Sequence, residues 1–353
     1  MVDTMNRHAL ALQILSEGTV IPATTLALDK DGKFDEAHQR MLVRYYLEAG
    51  SGGIATAVHS TQFEIRQPEH NLFETVISVV SSEIDAYEAE TGKTIVKVCG
   101  VCGPVEQAVR EANIAKNLGF DAVLLSPGGL NHLSEEAMVE RTKAVAEIMP
   151  VIGFYLQTAV GGRVFSYNYW QQVAEVENLV AIKCASFNRY TTQDVVRAVT
   201  FSSRADKIAL YTGNDDNIVI DLLTTYRFCQ DGKTYENRFR GGLLGHWSIW
   251  TAKVVEMFRM LKNASASDEL LTLAAQITDC NAAFFDTAHG FKGCIPGMHE
   301  VLRRQGLIDS IRCLNPEEVL SEGQAEEIDR VYKAYPHLND DAFVKDFLSR
   351  YHA

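Results

Sequence analysis

Clustered positive charge is what this chain has least of. Its 33 lysines and arginines face 46 aspartates and glutamates, a net charge of −13, whereas polyanion binding is built from grouped cations. Nucleic acid is therefore excluded as the main partner. Long apolar runs are missing too: no stretch would span a bilayer, and no sustained apolar core follows Asp3 before Glu17. The expectation is a cytoplasmic protein with no secretory signal and no membrane contact. The seven cysteines are odd in number and scattered through apolar surroundings, which fits reduced thiols better than a disulfide framework. Only Cys99-Gly-Val-Cys102 has a motif spacing, and no second pair exists to complete a zinc site. Nucleotide and hydrolase signatures are absent: there is no Gly-x-Gly-x-x-Gly after a strand, no Walker loop and no Gly-x-Ser-x-Gly elbow. A metal centre would need His and carboxylate ligands converging at strand ends, and His59, His246 and Asp215 supply one only by special pleading. Neither a metal nor a cofactor is expected.

What the chain does have is a rhythm. Short apolar strands alternate with amphipathic helices, after a leading helix at 5–18 that Gly18 ends. Strands are predicted at 20–27, 53–58, 94–99, 121–126, 151–155, 179–183, 207–212 and, least distinctly, 239–244, each followed by a helix. Residues 229–237 look like an insertion before the last strand. Eight such units within about 250 residues point to a (β/α)8 TIM barrel rather than an open doubly wound sheet. The barrel with its leading helix is expected over 1–263, and a C-terminal helical region over 264–353, with helix-like segments at 267–288, 294–306 and 325–350.

The centre of this pattern is Pro150 to Ser186. Two buried-type strands in it end on reactive side chains, Tyr155 and Lys183. An amine at the tip of an apolar strand is costly to bury as a cation, so it is pushed toward the neutral, nucleophilic form that imine chemistry needs. The alternatives are a lysine that snorkels into water and a tyrosine that only caps the core. Functional groups of such barrels sit at the C-terminal strand ends. Those ends carry Thr24 and Thr25, His59-Ser60-Thr61-Gln62, Cys99 to Cys102, Ser126-Pro-Gly-Gly129, Tyr155, Lys183, Gly213-Asn-Asp215 and Gly245-His246. Together they suggest a pocket in which Lys183 is the nucleophile and Tyr155 the proton carrier.

Three segments resemble the dihydrodipicolinate synthase and N-acetylneuraminate lyase family of class I pyruvate aldolases. Gly153-Phe-Tyr155 is similar to its Tyr-Asn-x-Pro strand end, Ala181-Ile-Lys183-Cys-Ala-Ser186 to its Gly-Ile-Lys-x-Ala-Thr, and Leu210-Tyr-Thr-Gly213-Asn-Asp215 to its Ser-Gly-Asp-Asp turn. The resemblance implies a Schiff base between lysine and a 2-oxo acid, pyruvate or a sugar-derived acid. It also implies a proton-shuttling tyrosine and a homo-oligomer, tetramer or dimer. A hydro-lyase acting through the same imine and a non-catalytic keto-acid-binding barrel are the rival readings. The chain departs from the family at its Gly-Thr-Thr-Gly-Glu loop, here Val58-His59-Ser60-Thr61-Gln62, and at Pro127-Gly128-Gly129, where the synthases have tyrosines. Ser60, Thr61 and the amides around them are expected to hold the substrate carboxylate, with Gly213 lining the site. His59 would replace the missing relay hydroxyl, and Arg163 would meet a distal anionic group.

Overall fold

The computed structural model describes residues 4–351. Its fold class is the expected one, a (β/α)8 barrel followed by C-terminal helices, with parallel strands alternating with helices along the chain. The chain divides into two compact units. One joins the residues up to Thr19 with Val96–Leu243; the other joins Val20–Ile95 with Leu244 onward.

The first unit holds the helix α1 (Thr4–Glu17) and the strands β3 (Val96–Val101), β4 (Ala122–Leu125), β5 (Val151–Leu156), β6 (Leu179–Ala185), β7 (Ala209–Thr212) and most of β10 (Phe239–Leu244). They pair in that order, all parallel. Between them run α4 (Val105–Asn117), α5 (Glu135–Ala146), α6 (Tyr167–Ala174), α7 (Arg189–Thr200) and α8 (Ile218–Leu223). Ser134, Ser166 and Asn188 cap α5, α6 and α7 by accepting backbone N–H bonds, which satisfies donors that a helix start leaves open. Gly18 ends α1 at φ +89°, and a Cβ there would fall 1.9 Å from the Arg240 carbonyl oxygen. That approach, with the left-handed φ, requires glycine. Tyr211 of β7 ties the same corner by donating to the Leu15 carbonyl at 2.7 Å and accepting from the Thr19 amide at 3.2 Å.

The helix expected at 216–228 stops at Leu223, and an antiparallel hairpin of β8 (Tyr226–Gln230) and β9 (Lys233–Asn237) takes its place. Asp231 and Gly232 make its turn with φ of 51° and 74°, and Asp-Gly suits the two positive φ values of a tight hairpin. The insertion is thus structured.

In the second unit β1 (Val20–Pro22) and β2 (Gly53–Thr56) run parallel, bridged at Ala23 and Ala55. Helices α2 (Glu36–Glu48), α3 (Phe73–Thr91) and α9 (Thr251–Leu261) accompany them, followed by α10 (Asp268–Phe284), α11 (Cys294–Arg304), α12 (Gln324–Ala334) and α13 (Asp341–Tyr351). The single helix expected over 325–350 is therefore two, broken around Pro336 as a proline in mid-helix demands. Asp340, buried just before α13, accepts from the Tyr45 hydroxyl at 2.6 Å, the Ala252 amide at 3.0 Å and Gln305 Nε2 at 2.8 Å.

The fully buried Asp121, opening β4, accepts from the Lys97 amide at 2.9 Å and pairs with Arg7 Nη1 at 2.5 Å. Asp121→Ala is expected to lower stability by roughly 1–3 kcal/mol, since a buried backbone donor loses its acceptor. Urea denaturation would register this as a lower midpoint.

Candidate active site

Side chains alternate along β6, and the structure shows which go where. A Cβ on Gly213, just past β7, would lie 2.6 Å from Lys183 Cε and 2.8 Å from the Ala185 Cβ, so Lys183 and Ala185 share the face that Gly213 borders. Cys184 points the other way, with its thiol 3.7 Å from the Thr192 hydroxyl of α7. Lys183 is 8% exposed. Burial pulls its ammonium down from 10.5 to about 8, and the negative charge of Asp215 acts in the opposite sense. The amine lies over the Phe154 ring, 4.5 Å from its centroid, where the ring quadrupole attracts what cation remains.

That contact corrects one expectation. In the β5–β6 pairing Phe154 is the register partner of Lys183, and Tyr155 is the partner of Cys184. Register partners on neighbouring strands project to one face, and the next residue projects to the other. Phe154 therefore stands beside the lysine, and Tyr155 faces the helix layer. There its ring stacks on Trp170 of α6 at 5.3 Å and meets Phe165 edge-on at 5.8 Å, while its hydroxyl accepts from the Phe165 amide at 3.2 Å. Burial raises this phenol above its ordinary pKa. The structure does not bring Tyr155 and Lys183 together.

Arg163 follows β5 in its loop. Its Nη1 donates to the Leu133 carbonyl at 2.6 Å and its guanidinium covers the Phe165 ring at 5.2 Å. Both contacts tie it to loop backbone and to the aromatic group that surrounds Tyr155.

In the other unit, His59-Ser60-Thr61 forms a single 3-10 turn after β2. The Ser60 hydroxyl, with one proton to give, lies 2.7 Å from the Ala23 carbonyl and 3.1 Å from that of Thr24; Thr61 donates to the Thr24 carbonyl at 2.7 Å. Both protons are therefore committed to strand-end carbonyls and are not free for a carboxylate, which corrects the role expected of these hydroxyls. His59 packs edge-on against Phe63 at 5.9 Å. Ala57 and Gln62, on either side, have φ of 57° and 66°, backbone strain of the kind that gathers at functional loops. His246 is buried against Phe284, with burial lowering its pKa to about 4. Among the described residues no group of three or more His, Cys, Asp or Glu is arranged to hold a metal ion. Cys99 and Cys102 are not joined in a disulfide.

Three residues given no role of their own from sequence stand near the lysine's strand: Phe154 and Asn214, which appear there only inside the runs Gly153-Phe-Tyr155 and Gly213-Asn-Asp215, and Asp221. Asp221 was detectable as the one carboxylate in the apolar helix Ile218-Val-Ile-Asp-Leu-Leu223, since a charge in such a run is buried only with partners.

Residues 16–226, more than half of the chain, match the Dihydrodipicolinate synthetase family. A 4-hydroxy-tetrahydrodipicolinate synthase of Syntrophus aciditrophicus (strain SB) is 27% identical over 197 residues, which cover 55% of this chain and 62% of that protein. The match thus spans less than two thirds of that relative's length. Among solved structures, a dihydrodipicolinate synthase from Agrobacterium tumefaciens superposes with a TM-score of 0.72 at 16% identity, covering 91% of this chain and 98% of that one. An N-acetylneuraminate lyase from Fusobacterium nucleatum does so with 0.70 at 16%, covering 91% and 99%. At such identities these likenesses show the fold.

Gly213→Ala forces either the lysine stem or the strand end to shift. The expected outcome is a loss of about 1–3 kcal/mol in stability from overpacking and at least tenfold slower acylation of Lys183. Peptide mapping after limited acetic anhydride treatment measures the second.

Proposed function

Because this chain belongs to the Dihydrodipicolinate synthetase family, we propose that it is a class I lyase or aldolase in which Lys183 forms a Schiff base with a 2-oxo acid, pyruvate or a sugar-derived keto acid. The observation that carries this reading is the Lys183 amine itself, buried and drawn down to about 8. At pH 7 about a tenth of such an amine is unprotonated and nucleophilic, far more than of an ordinary lysine. Its lone pair attacks the keto carbon, the carbinolamine loses water, and the resulting protonated imine accepts the electron pair of a C–C bond one carbon removed as it breaks, or that of the adjacent C–H bond, whose proton passes to a base so that the enamine formed expels hydroxide from the following carbon. Loss from the C–O bond would make the protein a hydro-lyase.

The group that moves protons in these steps is not Tyr155. Phe154, at the register position beside the lysine, has no proton to move. Asp215, whose charge acts on the amine, is proposed for that role. The Ser60 and Thr61 protons are already committed within their own unit, so those hydroxyls are given no substrate role in this proposal. Gly213 leaves room for the lysine stem, and Arg163 is kept for a distal anionic group only if its bond to Leu133 opens. Assembly as a homo-oligomer, dimer or tetramer, is part of the same proposal.

The ring at Phe154 also favours a second reading, a keto-acid-binding barrel without turnover. Adduct formation without product release would identify it.

Borohydride added with a panel of 2-oxo acids is expected to mark Lys183, and Lys183→Arg should abolish the adduct. Intact mass followed by peptide mapping reads both, and an adduct elsewhere, or none with any acid, ends the imine proposal. Tyr155→Phe should change the trapping rate less than about threefold, against the 10²–10⁴-fold expected of a true proton carrier. Because the neutral amine is the nucleophile and its pKa is lowered, trapping should rise with pH through about 8 and then level off. An unperturbed lysine would still be gaining above pH 10.

A further inference from the structure

Behind the Lys183 face lies a buried carboxylate with an unusual number of partners. Asp221 is fully buried on α8. Its Oδ2 accepts from the Thr212 hydroxyl at 2.7 Å and Asn214 Nδ2 at 2.9 Å. Its Oδ1 accepts from Arg189 Nη1 at 2.6 Å and Asn217 Nδ2 at 3.0 Å. These donors come from the end of β7, the loop after it and the start of α7.

Asn214, also fully buried, extends the connection. Its Oδ1 accepts from the Phe187 amide at 3.0 Å, and its own amide donates to the Thr212 hydroxyl at 3.2 Å. Phe187 follows the lysine's strand closely and has φ of 53°, a conformation that costs roughly 1–3 kcal/mol and needs such an anchor. One side chain therefore joins the loop after β6 to the loop after β7, and one carboxylate holds that side chain. Between Thr212 and Asn214 lies Gly213, packed on the lysine stem, and Asp215 follows.

We propose that Asp221 is a positioning residue for the Lys183 amine: through Thr212 and Asn214 it fixes the strand end that seats Gly213 against the lysine and carries Asp215. The carboxylate is needed as an acceptor on both oxygens. An amide at this position keeps one acceptor but turns a donor toward Thr212 and Asn214, so Asn214 Nδ2 loses its shorter bond and keeps only the 3.5 Å one to the Thr192 hydroxyl, and both loops loosen. Water then reaches the amine, and the effect of burial on it weakens. The ionisable groups whose charges act on or with Asp221 are Arg189, Asp216, Tyr226 and Cys184. Only Arg189 is positive among them. This inference rests on the imine reading for its chemical meaning and on the hydrogen bonds for its geometry.

The test is the titration of Lys183 in the full-length chain, followed by competitive acetic anhydride labelling across pH and quantified on the Lys183 peptide. Asp221→Asn is expected to raise the midpoint from about 8 by about one pH unit, leaving a tenfold smaller neutral fraction at pH 7. Thr212→Val, which removes one of the bonds, should move it in the same direction by less and serves if the first variant does not fold. Variants that melt earlier with the midpoint unmoved would reduce Asp221 to a structural residue and overturn the proposal. Borohydride trapping on the same samples separates the two ideas. A shifted midpoint with no 2-oxo acid adduct in the parent chain keeps the positioning role and removes the imine reading.

Discussion

An ammonium group surrounded by aliphatic and aromatic carbon has lost the water that stabilised it, and most of what stands around Lys183 answers that loss. Part of the answer is chemical, because the amine gives up its proton more readily. Part is electrostatic, through the Phe154 ring and the Asp215 charge. The remainder is steric: a glycine at position 213 lets the stem lie against the next strand where any Cβ would press on it. Each of these depends on the strand ends being held in place, and so a second buried charge, Asp221, is kept behind the first. The cost of burying that carboxylate is offset by four donors, one of them cationic.

Much of the fold could be read in advance because βα repetition is a long signal. Each strand is a few apolar residues between turn formers, each helix an amphipathic segment, and the errors stay local. β1 ends at Pro22 instead of running to 27, and beyond it the carbonyls of Ala23 and Thr24 accept from the Ser60 and Thr61 hydroxyls. The hairpin was missed although Asp231-Gly232 was visible, because its strands are mostly polar and exposed and lack the buried-strand pattern that marked the others. Around Pro336 the amphipathic pattern continues on both sides of the break, so the period alone predicts one helix where the proline makes two.

The site was less legible, and the reason is a period of two. Lys183 needed only a strand and its end. Choosing between Phe154 and Tyr155 needed the register of β5 against β6 to the residue, and that pairing itself shifts between Val151 and Ile152. A slip of one residue exchanges the two faces of a strand. Sequence spacing therefore favoured the phenol, the more reactive side chain, while the backbone delivered the phenyl ring. Ser60 and Thr61 were found as residues but misjudged as donors, because a hydroxyl's single proton goes to the nearest carbonyl, and those carbonyls belong to residues about 37 positions away.

The order in which the chain leaves the ribosome gives the two-unit division another meaning. The core that holds Tyr45, Tyr46 and Ile84 is completed by Trp250, Phe284, Val301 and Phe347, residues made only after the whole intervening segment Val96–Leu243 has been synthesised. Until then β1, β2, α2 and α3 carry an apolar face with nothing to cover it. Such exposure over the time of synthesis is a hazard for association with other chains, and the contacts that end it are among the most distant in sequence, hence the slowest to form. The N-terminal segment of this protein thus spends its early life waiting for its C-terminus.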